Sequence, residues 1–275
     1  VASAGIDVLV DEPNPISPLI DLPQCVLTPH LGADTYEAQD NVGLAIAEEV
    51  IAALHGEMVA NAVNLPALQA SELEKVKVQL TLGEDLGKLY YQLAHEAIEK
   101  VEVIYSGAMA DMETDMITRA VLKGVFEPVL KERVNYVNAL LTAGSRGVEV
   151  VESKENDTRE LLRVNLYTKA GKFTVAGTAA SDGTIRIKDI DGYQFDLEPA
   201  PFMLAVNNAD KPGMIGRLGT VLGAENINIG NMQVSRNAKE GIAMMIMTVD
   251  SVVEGHTLET VSYTHLRAHE TPEHL

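Results

Sequence analysis

Two short apolar runs, each followed by a proline, open the chain. The first covers residues 5–10 and the second residues 25–27, and a proline follows two or three positions after each run ends. Proline lacks a backbone N–H and keeps the residue before it out of the helical region, so each run predicts a strand that ends in a loop. Ligands bind beyond the carboxyl ends of the strands in open α/β sheets. The polar residues behind the two runs, Glu12 and His30, are therefore candidate site residues.

A helical pattern begins at residue 34. Apolar side chains recur in steps of four, at Ala38, Val42, Ile46, Val50 and Leu54. This spacing places them on one face of a helix. Asp34 and Glu37 have the positions of a capping box at its start, and Gly56 has the position of a terminating glycine.

Residues 67–199 predict a mixed α+β domain, separated from the first part of the chain by an extended segment that closes at Pro66. Helices are predicted by leucines at helical spacing near residues 82–93 and by the pattern over residues 115–122. Strands are predicted over residues 101–105, 148–152, 161–168, 173–179 and 184–190. Arg186 and Lys188 share one face of the last strand and can hold a phosphate, but the solvated face of an edge strand is the simpler explanation.

Residues 200–261 predict the beginning of a ferredoxin-like βαββαβ unit. A strand over residues 202–207 leads through a turn into a helix over 214–224, and strands follow over 226–234 and 242–249. A second helix and a fourth strand complete such a unit, but the sequence after residue 261 has weak periodicity. We therefore expect an incomplete carboxyl terminus, with residues 262–275 forming a non-native tail from a frameshift or an assembly error.

The tail also contains two histidines at the spacing of metal ligands on a helix, His265 and His269. The loss of pattern around them favours the non-native tail over a metal site. We predict that the chain binds no metal.

Charge and cysteine content narrow the class of protein. The 275 residues carry 40 acidic and 21 basic side chains, for a net charge of −19, so no general affinity for nucleic acid or anionic lipid is expected. The single cysteine excludes an internal disulfide and fits a reducing compartment, which predicts a cytoplasmic location. No apolar run approaches the ~20 residues that span a bilayer.

Two motifs in the first part of the chain resemble a known family. Asp7-Val8 followed by Glu12-Pro13, then a loop rich in proline and leucine and the segment Leu27-Thr28-Pro29-His30-Leu31-Gly32-Ala33, resemble the signature of the D-isomer-specific 2-hydroxyacid dehydrogenases. The later chain is similar to the long members of this family, which have an intervening domain and a C-terminal ACT domain. The resemblance implies that residues 1–66 are the last part of a Rossmann-type NAD-binding region, that 67–199 are the intervening domain and that 200–261 are the ACT domain.

The resemblance also implies a reaction. Judged from spacing alone, Glu12 and His30 are a surface glutamate and a loop histidine, because lone residues of both types are common. In the family they form a catalytic pair, in which the carboxylate raises the pKa of the imidazole and fixes its tautomer. Asp7 and Gly32 would contact NAD, and the reaction would be the oxidation of 3-phosphoglycerate to 3-phosphohydroxypyruvate, the first step of L-serine synthesis.

For the ACT domain, the resemblance implies an L-serine effector held by Asn208, Asp210 and Asn228 between paired domains, and hence a homodimer or homotetramer. Asn208 and Asp210 can also have a structural role, in which their side chains stabilise the turn through local hydrogen bonds to the backbone. Both explanations remain open at this point.

The resemblance leaves the activity of this chain and its substrate open. The glycine-rich phosphate-binding turn and the substrate-binding arginine would lie before Val1, so we expect a truncated chain that does not turn over substrate by itself. The retained domains would then serve as a serine-binding, oligomerising module only. A related reductase acting on glyoxylate or hydroxypyruvate is the third reading, although such relatives are generally shorter.

Overall fold

A computed structural model describes most of the chain as two compact units, residues 1–61 and 62–275. The described residues are 2–13, 15–55, 59, 61–63, 70–94, 96–130, 134–237, 241–253, 255–263 and 266–271. Gly56, Pro66 and His265, which carried predictions above, lie outside them.

The first unit contains two parallel strands and one helix. β1 (Ala4–Ile6) pairs with β2 (Cys25–Leu27), in register from Ala4 opposite Cys25 to Ile6 opposite Leu27. The helix α1 (Tyr36–His55) confirms the helix that was predicted from the four-residue apolar spacing. The predicted cap is wrong by one residue, because the hydroxyl of Thr35 accepts the Ala38 N–H at 3.1 Å.

The second unit begins with an α+β region built on one six-stranded sheet. The strands are β3 (Ile98–Ser106), β4 (Glu149–Glu155), β5 (Leu161–Thr168), β6 (Gly171–Ala179), β7 (Ile185–Ile190) and β8 (Tyr193–Leu197). The strand order is β4-β3-β5-β6-β7-β8, with β3 and β4 parallel and the other neighbours antiparallel. The helices are α2 (Ala70–Leu93), α3 (Asp115–Phe126) and α4 (Ala139–Ser145).

The core of this region lies between α2, α3 and one face of the sheet. Leu82, Leu86, Ile117 and Leu122 are fully buried there. The two helices approach so closely that a Cβ added to Gly124 would meet the Glu84 carbonyl oxygen at 2.1 Å. Helix packing at this point therefore depends on a glycine.

The predicted edge position of Arg186 and Lys188 is wrong, because β7 lies inside the sheet, between β6 and β8. Lys188 lies 2.7 Å from Asp196, and Arg186 lies 3.8 Å from Glu198. Because Asp196 of β8 and Glu198, just after β8, each supply a carboxylate, ion pairing accounts for both cations.

The rest of the second unit is a complete βαββαβ unit. The strands β9 (Met203–Ala209), β10 (Ile229–Asn237), β11 (Ile242–Val249) and β12 (Leu266–Thr271) form a sheet of order β10-β11-β9-β12. The helices are α5 (Met214–Ala224) and α6 (Gly255–Tyr263).

The expectation of a missing second helix and fourth strand is therefore wrong. Antiparallel pairing with β9 over residues 203–208 holds β12 in place. Strand pairing is a backbone interaction, so weak side-chain periodicity does not prevent it. The origin of residues 262–275 is a separate question, and their non-native origin remains a prediction.

A buried carboxyl in α2 gives the region a pH dependence. Asp85 is only 5% exposed, and burial raises its pKa to about 6 from an ordinary value of 3.8. The acid form is the one that the fold favours, so this group stabilises the fold fully below pH 3.8 and loses that contribution as the pH rises to about 6.

We expect Asp85→Asn to raise the free energy of unfolding at pH 7 by about 2–3 kcal/mol, because a neutral amide replaces a buried carboxylate. The gain should fade as the pH is lowered from 6 to 4. Urea unfolding at a series of pH values measures it, with Asp111→Asn, at an exposed position, as the control. A gain that is equal at all pH values would contradict the explanation.

Candidate functional site

The structure brings Glu12 and His30 together beyond the ends of β1 and β2. Nδ1 of His30 lies 2.7 Å from Oε2 of Glu12, with the His30 side chain 58% exposed and that of Glu12 30% exposed. Because an ionised carboxylate can only accept, Nδ1 carries the proton, and Nε2 is the basic nitrogen of the neutral ring. A base with its open nitrogen directed away from its acidic partner can exchange a proton with a bound molecule.

Backbone bonds fix both members of the pair. The His30 N–H donates to the Asp7 carbonyl at 2.9 Å, and His30 has a left-handed φ of 55°, which few non-glycine residues adopt. The second carboxylate oxygen of Glu12 accepts the Leu9 N–H at 3.1 Å. The loop therefore holds the imidazole and the carboxylate in a set orientation.

Asp7 forms the centre of this loop. Its Oδ1 accepts the Thr28 hydroxyl at 2.5 Å and the Leu31 N–H at 2.8 Å, and its Oδ2 accepts the Gly32 N–H at 2.7 Å. A Cβ on Gly32 would lie 2.9 Å from that Oδ2. Asp7 and Gly32, which were expected at the cofactor, therefore join the two strand ends that carry Glu12 and His30.

These contacts shift the pKa values of all three groups. Glu12 accepts a hydrogen bond from His30 and thereby raises the pKa of the imidazole above its ordinary 6.5, an effect to which the carboxylate charge adds. The same bond, with that from Leu9, holds the pKa of Glu12 below 4.5. The Thr28 hydroxyl and then the Leu31 N–H hold the pKa of Asp7 below 3.8. An ionised Glu12 thus faces an imidazole that holds its proton to a higher pH than a free histidine does.

We expect Glu12→Gln to move the pKa of His30 back towards 6.5, because an amide carries no charge to stabilise the imidazolium. NMR titration of the His30 ring protons measures the change. Glu48→Gln, on the exposed surface of α1, is the control and should leave the His30 titration unchanged. A His30 pKa that is the same in wild type and Glu12→Gln would show that the two side chains do not interact in solution.

The second predicted site surrounds the turn between β9 and α5. A cavity of about 400 Å³ is lined there by Asn208, Asp210 and Arg236, together with the residues of the turn. Asp210 is paired with Arg236 at 3.0 Å, and Nδ2 of Asn208 donates to the Ala209 carbonyl at 2.8 Å. Oδ1 of Asn208 is buried and has no hydrogen-bond partner in the described part of the chain.

Asn228, the third predicted effector residue, does not line this cavity. Its N–H donates to Asp250 at 3.0 Å, and its side chain is exposed. The structure therefore brings two of the three residues together within one chain. It also adds Arg236, which the sequence analysis missed because a lone arginine at the end of a strand has no distinguishing signal.

The described residues form neither a metal centre nor a membrane-spanning helix. Among the residues that the structure describes, no group of three or more His, Cys, Asp or Glu side chains is arranged to hold a metal ion. His265 lies outside that part, so the absence of a metal site remains a prediction. No helix within the described ranges has the length and apolar character needed to cross a bilayer.

Two regions of the chain match known domain families. Residues 75–191 match the D-3-phosphoglycerate dehydrogenase intervening domain, and residues 202–263 match the ACT domain. The six-stranded α+β region and the βαββαβ unit described above correspond to these two matches. The chain thus combines an intervening domain with an ACT domain, as the family resemblance implied.

Three curated relatives match almost the whole chain. D-3-phosphoglycerate dehydrogenase of Archaeoglobus fulgidus is 40% identical, over 95% of this chain and 51% of that protein. The enzymes of the same name from Methanocaldococcus jannaschii and Synechocystis sp. are 34% and 37% identical, over 95% of this chain and 50% and 48% of their own lengths. The chain is similar to D-3-phosphoglycerate dehydrogenases along almost its whole length, and it spans about half the length of the curated relatives it matches.

Proposed function

We propose that this chain supplies the proton-transfer pair of an NAD-dependent dehydrogenase that oxidises 3-phosphoglycerate to 3-phosphohydroxypyruvate, the first step of L-serine biosynthesis. The observation that supports this most is the 2.7 Å contact between Glu12 and His30 beyond two parallel strand ends. The names of the curated relatives support the substrate and do not favour a glyoxylate or hydroxypyruvate reductase. A cytoplasmic location, expected from the single cysteine, is part of this proposal.

The acceptor capacity of Asp7 fits the nicotinamide end of NAD. An ionised carboxylate has about four lone-pair sites. Bonds from Thr28, Leu31 and Gly32 use three of them and leave one on Oδ2. Asp7 can therefore accept one N–H from a carboxamide without releasing the loop.

Proton transfer is the part of the reaction that these residues perform. NAD, when bound, provides the acceptor of the hydride that leaves the substrate carbon. Nε2 of His30 takes the proton of the hydroxyl on the same carbon as the carbonyl forms, and it returns the proton in the reverse direction. Glu12 stabilises the imidazolium that results, which matches the raised pKa of His30.

The activity test uses a fusion protein, which we call the completed chain. It joins this chain to the part of the Archaeoglobus fulgidus relative that lies outside the match. We expect it to form NADH from 3-phosphoglycerate, followed by absorbance, and much less from glycerate or glycolate. A preference for glycerate or glycolate would favour the reductase. No NADH from any of the three, in a completed chain that is folded, would contradict the dehydrogenase.

We propose separately that the ACT domain binds L-serine between paired domains in a homodimer or homotetramer. The cavity beside Asn208 and Asp210, and the buried unpaired oxygen of Asn208, support this site. Calorimetric titration of the 275-residue chain with L-serine, together with its sedimentation behaviour, tests both parts. A monomer would contradict the pairing of ACT domains, and a titration without heat would contradict serine binding.

A further inference from the structure

Arg236 lies on the same face of the ACT sheet as Asn208. In the antiparallel pairing of the strands, Arg236 of β10 is opposite Ala243 of β11, and Ala243 is opposite Asn208 of β9. Residues directly opposite each other on neighbouring strands have their side chains on one face of the sheet. All three residues line the cavity of about 400 Å³ at the start of α5. The strand register therefore places Arg236 on the side of the cavity.

The guanidinium of Arg236 has hydrogen-bond donors to spare. Its Nε is paired with Oδ2 of Asp210 at 3.0 Å, and Arg236 makes no other polar contact with the described part of the chain. A guanidinium carries five N–H donors in a planar fork, so the donors on its Nη groups remain. The side chain is 73% exposed, which leaves these donors accessible. Two parallel donors of this kind match the two oxygens of a carboxylate.

Asp210 keeps acceptor capacity beside this fork. Arg236 uses its Oδ2, whereas its Oδ1 has no partner among the residues that the structure describes. The backbone N–H of Asp210 donates to the Gly241 carbonyl at 3.0 Å, which fixes the residue at the end of β9. A free carboxylate oxygen and a free pair of guanidinium groups thus lie next to each other at the mouth of the cavity.

A local ion pair between Asp210 and Arg236 explains only one contact of each side chain. An exposed pair of this kind contributes little to stability. The groups that remain have the charges needed to bind a zwitterion, since the guanidinium attracts a carboxylate and Asp210 attracts an ammonium. An α-amino acid carries both of its charged groups on one carbon, so it can reach both residues at once.

We propose that Arg236 and Asp210 together select zwitterionic α-amino acids at this cavity. The Nη groups of Arg236 donate to the α-carboxylate, and Oδ1 of Asp210 accepts from the α-ammonium. The proposal rests on the serine site proposed above, and it adds the residue that holds the carboxylate of the effector. A molecule with only one of the two charged groups loses half of these contacts and binds more weakly.

The test is calorimetric titration of the 275-residue chain with L-serine and with 2-aminoethanol, which is serine without its carboxylate. We expect 2-aminoethanol to bind at least about tenfold more weakly than serine, since losing hydrogen bonds between charged groups costs about a factor of ten or more. Equal affinity for the two compounds in the wild-type chain would show that the cavity does not read the carboxylate and would overturn the proposal.

Variants at Arg236 assign the carboxylate contact. Arg236→Gln should weaken serine binding about tenfold or more and leave 2-aminoethanol binding unchanged, because only serine has a group for the guanidinium to hold. Arg236→Lys keeps the charge without the fork, so its affinity for serine should lie between those of wild type and Arg236→Gln. Arg217→Gln, at an exposed position of α5 outside the cavity lining, is the matched control and should bind serine as wild type does.

Serine affinity that is unchanged in Arg236→Gln would overturn this proposal and leave the serine site standing. Equal weakening of serine and 2-aminoethanol by that variant would also overturn it, since Arg236 would then act only on the structure of the site. A wild-type chain that gives no heat with serine would contradict the serine site itself, and the role of Arg236 with it. If Arg236→Gln does not fold, Arg236→Lys decides, because a serine affinity equal to that of wild type would contradict the need for a fork.

Discussion

His30→Ala is expected to lower the rate of 3-phosphoglycerate oxidation by the completed chain by about 10²–10⁴-fold, the usual contribution of a positioned acid or base. Alanine leaves the Glu12 carboxylate without its imidazole partner and leaves no group at the end of β2 to take the hydroxyl proton. The loss should appear in kcat, because the proton moves in the chemical step. Steady-state NADH formation at saturating substrate measures it.

His55→Ala is the matched control for this experiment. His55 ends α1 in the same unit, outside the Glu12–His30 loop, and its replacement should leave kcat within a factor of about two, as expected for a surface change. If His30→Ala were as active as His55→Ala, His30 would have no part in the reaction.

Gly124→Ala is expected to destabilise the intervening domain by about 1–3 kcal/mol or more, the cost of overpacking a close contact. The added Cβ would lie 2.1 Å from the Glu84 carbonyl oxygen. At the same helix crossing, a Cβ on Gly87 would lie 2.4 Å from the Val121 carbonyl oxygen. Because backbone atoms are the obstacle on both sides, a change of rotamer cannot relieve the clash, and α2 and α3 have to move apart.

Gly219→Ala is the control for this second prediction. Gly219 lies inside α5 and has nothing within 4 Å of its added Cβ, so alanine there should stabilise the fold by about 0.5–1 kcal/mol through helix propensity. Urea unfolding followed by circular dichroism compares the two variants. Equal stabilisation by both would mean that α2 and α3 do not pack closely in solution.

Much of the fold follows from side-chain spacing. Leu82 and Leu86, at helical spacing, are fully buried in α2, and the antiparallel strands of the α+β region lie close to their predicted ranges. β8 was missed, although its alternation of buried and exposed residues from Tyr193 to Leu197 is regular.

The error at the carboxyl terminus has a different cause. The prediction relied on side-chain periodicity, and residues 262–275 have little. β12 is placed by the free edge of β9, whose backbone groups are available for pairing. Pairing of this kind depends on the three-dimensional position of an edge and cannot be inferred from spacing along the chain.

The proximity of Glu12 and His30 was predicted through family resemblance and not through spacing. Glu12 and His30 are separated by 18 positions, so only the structure could bring them to 2.7 Å. The role of Asp7 in the loop was missed. Three donors from Thr28, Leu31 and Gly32 converge on one carboxylate, and this depends on a loop conformation that includes a left-handed His30.

The pH dependence of kcat/KM in the completed chain, compared with the NMR titration of His30, tests the central claim that Glu12 and His30 together transfer the proton. We predict that the rate of 3-phosphoglycerate oxidation rises with pH through the pKa of His30, above 6.5, because the neutral imidazole is the base. In Glu12→Gln both the kinetic pKa and the NMR pKa should shift down together. A kinetic pKa that stays in place while the His30 titration moves would contradict the claim.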